Sequence, residues 1–89
     1  MKAPENLVRV IKGIRYDTSK STLLAQWIAG SGTFLYRTTN GNYSQALVVD
    51  ADHISVYPLY PYQAMRVYGE CTPVVPFEEA FPGVLVEDA

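Results

Sequence analysis

Hydrophobic and polar positions along this chain alternate in short runs, mostly with a period of two, and glycine, proline and asparagine break the runs. Residues 7–11 and Ile14–Asp17 flank Lys12-Gly13, and the β-branched and aromatic residues on both arms predict a tight hairpin. In the first arm Leu7, Arg9 and Ile11 alternate against Val8 and Val10. That arm is apolar on nearly both faces, so it is expected inside a sheet and not at its edge. Residues 34–39 and 42–50 flank Asn40-Gly41, the dipeptide that most favours a type I′ turn, because both of its residues accept positive φ. A further strand is expected over His53–Leu59, with Ile54 and Val56 on one face and Ser55 and Tyr57 on the other.

Residues 18–29 carry two readings. As a helix, Asp17 or Thr18 is the N-cap, Leu23, Leu24, Trp27 and Ile28 share a face, and Gly30 is the stop. As a strand, Thr22 to Ile28 is half-buried after a Ser-Lys-Ser turn. Local signals lean to the helix, and in either case Trp27 is expected to be largely buried. Gly30-Ser31-Gly32 reads as a flexible loop. Pro61 suits the first turn of a helix over 61–68, with Tyr62, Met65 and Tyr68 in one stripe and Gly69 as its close. Pro73, Pro76 and Pro82 leave room for a helical turn at 77–81, and 84–86 reads as a last edge strand. The chain is therefore expected to form one α+β domain over 1–89. Its frame is an antiparallel sheet of about five or six strands with one main C-terminal helix, and the proline-rich tail, 72–89, packs on that frame.

Eighty-nine residues, 48% hydrophobic and 18% charged, describe a globular chain with a modest core. No apolar run approaches the ~20 residues of a membrane helix, and the first residues lack a signal peptide's apolar stretch. A cytoplasmic protein with no membrane partner is expected. Cys71 and His53 are the only residues of their kinds, too few for a structural zinc site, so neither metal nor cofactor is expected. His53 reads as a solvated turn residue and Cys71 as a small packed one. The acidic pairs Asp50 with Asp52 and Glu78 with Glu79 read as solubilising charge before they read as chemistry. Gly30-Ser31-Gly32 lacks the lysine of a phosphate-binding loop. No catalytic residues are assigned, and the expectation is a binding protein, not an enzyme.

Net charge is -2, unevenly distributed: residues 1–45 carry six cations against two anions, and 46–89 carry one cation against seven anions. Arg15 and Arg37 lie near Tyr16, Tyr36 and Tyr43, a combination that suits nucleic-acid binding. The pI of about 5.2 argues against that use, since autonomous nucleic-acid binders commonly exceed about 9. Seven tyrosines supply amphipathic contact area, and Tyr57, Tyr60 and Tyr62 crowd a segment stiffened by Pro58 and Pro61. The residues expected at a partner surface are these three with Asp50, Asp52, Glu78 and Glu79, and the alternative is a basic face at Arg15 and Arg37.

Three segments in order, Gly13-Ile14-Arg15-Tyr16-Asp17-Thr18, Leu35-Tyr36-Arg37-Thr38-Thr39-Asn40-Gly41-Asn42-Tyr43 and Pro58-Leu59 before the helix, resemble small, mostly uncharacterised proteins of phages and other mobile elements. The likeness covers residues 8–68. It implies a compact antiparallel sheet with a C-terminal helix and favours the strand reading of Leu23 to Ile28. This chain departs from the group in a shorter loop after the second hairpin and a tail from Cys71 onward. The implied setting is counter-defence of the anti-CRISPR kind, with a protein complex of the bacterial host as partner and the chain as monomer or homodimer. That implication is analogy, not chemistry.

Overall fold

The structure, a computed structural model, describes Met1–Ala89. At Lys12-Gly13 both residues take positive φ, 51° and 78°, as a type I′ turn demands. The turn joins β1 (Val8–Ile11) to β2 (Ile14–Asp17), with Val10 opposite Arg15. These two strands pair only with each other, as a separate two-stranded ribbon. The expectation that the first arm lies inside the main sheet is therefore corrected: Val8 and Val10 are exposed. Alternation reports which residues are apolar, not what covers them, and here only Leu7, Ile11 and Tyr16 turn toward the body.

The cap signal at Asp17 is real but short-lived. Its carboxylate accepts the Ser19 N–H at 3.0 Å and the Ser19 hydroxyl at 2.6 Å, closing a single 3-10 turn over Thr18–Lys20. The chain then runs extended as β3 (Ser21–Ala29), so the strand reading holds. A bulge between Leu23 and Ala25 turns both Leu24 and Ala25 into the core, and this explains the helix-like doublet in the pattern. Gly30 alone, at φ 78°, reverses the chain into β4 (Ser31–Thr38). The flexible loop expected at Gly30-Ser31-Gly32 is thus a tight turn, and Gly32 lies within the strand where a Cβ would strike Met1 and the Phe34 ring.

β4 turns into β5 (Tyr43–Asp50) through residues 39–42. Asn40-Gly41 makes the expected hairpin but not the expected turn type. Only Gly41 has positive φ, 84°, and the Thr38 N–H donates to the Asn42 carbonyl at 2.8 Å while the Gly41 N–H donates to the Thr38 carbonyl at 2.9 Å, so the loop is the three residues 39–41, a turn followed by a left-handed glycine. β6 (His53–Leu59) completes the meander, and the main sheet has the order β6-β5-β4-β3-β7, with β7 (Thr72–Pro73) a short strap beside Ala25 and Gln26.

One face of this sheet is covered by α1 (Pro61–Glu70) and α2 (Phe77–Ala80), over Leu24, Ala25, Leu35 and Tyr43. Gly69 lies within α1, not at its close. The other face holds Phe34, Tyr36, Ala46 and Val48 beneath Ala3 and Leu7, and the Tyr36 hydroxyl donates to the Pro4 carbonyl at 2.9 Å. Beyond β7 the tail packs through Phe81, which is 1% exposed and stacks on Tyr43 at 5.1 Å. Residues 84–86 form no strand and stand in solvent, beyond the last buried side chains of the tail, Ala80 and Phe81. The architecture is α+β: a five-stranded antiparallel sheet, a two-stranded ribbon and one main helix.

Candidate protein-binding surface

Burial sorts the tyrosines. Tyr16, Tyr36 and Tyr43 are buried, and Tyr68 packs against the core. Tyr36, Tyr43 and Tyr68 complete the hydrophobic layers, and none of the four rings is exposed as a stacking platform beside Arg15 and Arg37. Tyr57, Tyr60 and Tyr62 are 49%, 68% and 62% exposed.

Two of these three are ordered by the start of α1. Pro61 fills the first helical position, where its missing N–H costs nothing. The Tyr60 N–H donates to Gln63 Oε1 at 2.8 Å, and the Tyr60 carbonyl accepts the Ala64 N–H at 3.0 Å. The Tyr60 and Tyr62 rings stack nearly parallel, with centroids 5.9 Å apart and planes 7° off. Tyr62, exposed, therefore does not join Met65 and Tyr68 in the inward stripe; α1 meets the core through Ala64, Met65, Val67 and Tyr68, with Cys71 just beyond its end. Tyr57 stays apart, on β6.

Beside the stacked pair lies a groove of about 460 Å³ between the ribbon and the junction of β6 with α1. Ile11, Ile14, Tyr16, Tyr43, Leu59 and Tyr60 supply its apolar lining, and Lys12 is the only charged side chain along it. The ribbon that the sequence pattern places inside the sheet is in fact one wall of a cleft.

The charged candidates do not converge. Arg15 lines a different, polar cleft of about 380 Å³, with Asp17, Lys20 and Asn40. Arg37 is absent from that lining; it sits opposite Tyr43 on the helix side of the sheet, half-buried, with its Nε buried and unpaired. Burial raises the Tyr43 phenol, and the Arg37 cation opposes that rise. Asp50 and Asp52 flank the turn into β6, whereas Glu78 and Glu79 ride on α2 near Tyr43, whose hydroxyl donates to the Ala80 carbonyl. Tyr43 and Asp50 are seven residue steps, about 23 Å, apart along β5, so the two acidic pairs lie toward opposite ends of that strand.

His53 Nδ1 lies 2.7 Å from Asp50 Oδ1. The hydrogen bond from His53, then that from the Asp52 N–H, holds the Asp50 carboxyl below its usual range. The pair is exposed, and neither residue lines a cavity. Burial, with the Glu70 carboxylate, pushes the Cys71 thiol up, as suits a packed residue.

Trp27, expected in the core, is 55% exposed. Register places Trp27, Thr33, Leu47 and Ser55 in one row on the helix side, next to the row that holds Tyr57. A helix of ten residues is only about 15 Å long and leaves that outer row open. The missed signal was the shortness of 61–68 beside strands of eight or nine residues.

Comparison with protein-family models, curated proteins and solved structures finds no match to this chain.

Proposed function

We propose that this chain is a non-catalytic binding module whose partner is a protein, docked on the Tyr60–Tyr62 shelf and the groove beside it. The observation that carries the reading is the pair itself: two large exposed rings, already stacked and ordered by Pro61 and Gln63, of which Tyr60 lines an apolar cleft. Ordered tyrosines lose little entropy on docking, and such residues dominate binding energy at interfaces. The resemblance of residues 8–68 to phage and mobile-element proteins supports a setting in the bacterial cytoplasm. There the partner is a host defence complex, a CRISPR effector among the candidates, and the module acts as its inhibitor or adaptor.

The test is phage plating on a CRISPR-immune host that expresses the chain, alongside folded Tyr60→Ala and Tyr62→Ala variants. Restored plating that either variant loses supports the reading. Plating unchanged by the parent chain rejects the CRISPR assignment, and plating restored equally by parent and variants rejects the tyrosine shelf. Affinity for DNA or RNA that falls steeply with salt favours the rival, a nucleic-acid role for the basic half.

A further inference from the structure

Strand β6 ends the sheet on one side, and its outer backbone groups follow from the hairpin beside it. The Thr38 N–H to Asn42 carbonyl bond sets the phase. Bonded and non-bonded pairs alternate along an antiparallel ladder, so Tyr36 with Ser44, Phe34 with Ala46 and Gly32 with Val48 are bonded pairs. Tyr43, Gln45 and Leu47 therefore direct their backbone groups to β6, where they meet Leu59, Tyr57 and Ser55. Ile54, Val56 and Pro58 are left facing outward. Pro58 fits this phase independently, since proline occurs on edge strands where its nitrogen faces away from the neighbour.

Edges are ordinarily blunted by lysine, proline or a bulge. Here the bulge between Val48 and Asp50 lies before the strand and Pro58 lies near its end, and nothing between His53 and Tyr57 is an acidic or lysine or arginine side chain. The open window is short, and its positions match in kind about Ser55: β-branched Ile54 and Val56 flank it, with the rings of His53 and Tyr57 beyond them.

We propose that β6 is a self-pairing edge: two copies of this chain join antiparallel along His53–Tyr57, about a two-fold axis at Ser55, into one continuous sheet. In that register Ile54 and Val56 of each copy exchange hydrogen bonds with Val56 and Ile54 of the other. Both side chains are half-buried against the Phe34–Val48 layer, and the second copy covers what they still expose. On the opposite face Tyr57 lies across from the second copy's His53, and the two Ser55 residues meet in a narrow non-bonded pair. Asp52 and its copy stand about 20 Å apart, so the acidic turns do not repel across the axis. A second copy is the occupant because this two-fold register satisfies the outward N–H and C=O groups of both Ile54 and Val56, sets like-sized β-branched side chains against each other and brings no like charges together across the axis. This inference is independent of the tyrosine shelf.

Sedimentation equilibrium of the full chain, from about 10 to 500 µM, tests it, because pairing of one short edge makes a small interface and an exchanging dimer. The expected result is a mass that rises from one toward two chains. Amide exchange at Ile54 and Val56 is expected to slow as concentration rises. Ser55→Lys, which sets two cations directly opposite each other, is expected to weaken association at least tenfold while its circular dichroism stays that of the parent. Ser55→Cys in a Cys71→Ser background is expected to cross-link through its one thiol under mild oxidation. A single-chain mass throughout, or a dimer unaffected by Ser55→Lys with no Ser55→Cys cross-link, overturns the proposal.

Discussion

Single side chains set the limits of this small core. Tyr36 is 3% exposed, and burial, then the Glu5 carboxylate, pushes its phenol up to about 12. A folded-state value above the unfolded one means that its stability is fully present below about pH 10 and is lost as pH rises through 12. Tyr43 shifts in the same direction. The melting temperature is therefore expected to fall steeply between about pH 10 and 12. Tyr36→Phe flattens that fall and costs about 1 kcal/mol at neutral pH through the lost bond to Pro4. A melting curve against pH for both proteins checks it, and identical slopes would sink the assignment. Phe81 is the second limit, closing an aromatic cluster with Tyr43, Tyr68 and Phe77. Phe81→Ala is expected to cost about 3–5 kcal/mol, read as a shift of the urea midpoint.

At the level of elements, Lys12 is the one non-glycine residue with positive φ, a conformation that costs an L-residue about 1 kcal/mol or more. Lys12→Asn places Asn-Gly in the type I′ turn and is expected to raise stability by up to about 1 kcal/mol, measured by denaturant unfolding. The turn signals thus sit at the right places with their types exchanged: Asn40-Gly41 carries the sequence signature, and Lys12-Gly13 carries the geometry. The hairpins, β6 and the start of α1 were legible because each is fixed by neighbours a few residues away. The position of β1, the exposure of Trp27 and the fate of 84–86 were not, since each depends on what distant segments cover. The candidate surface divides in the same way. Pro61 and the tyrosines around it announce a rigid aromatic segment, but the groove beside Tyr60 needs the ribbon's place in three dimensions.

Over the whole molecule, the uneven charge of the sequence does not become two faces, since the acidic pairs fall near opposite ends of β5 and Arg15 and Arg37 lie apart. What unifies the fold is instead the tail after α1. β7 straps the outer edge of β3, the Val74 N–H donates to the Leu24 carbonyl at 2.9 Å, and the Tyr68 hydroxyl donates to the Val75 carbonyl at 2.7 Å. Ala80 and Phe81 then complete the layer that holds Leu24, Leu35 and Tyr43. Domains of this size have only about 5–15 kcal/mol in hand, so a segment that contributes a fully buried phenylalanine and a sheet edge is not dispensable. Removing residues 72–89 is expected to abolish cooperative unfolding and leave a chain prone to aggregate. Removing only 84–89, all exposed, is expected to change stability by less than about 0.5 kcal/mol. Urea titrations of both truncations decide the matter: a cooperative transition in the longer deletion would show that the sheet and α1 hold a core without Phe81, and a large loss in the shorter one would show that Val84, Leu85 or Val86 carries packing.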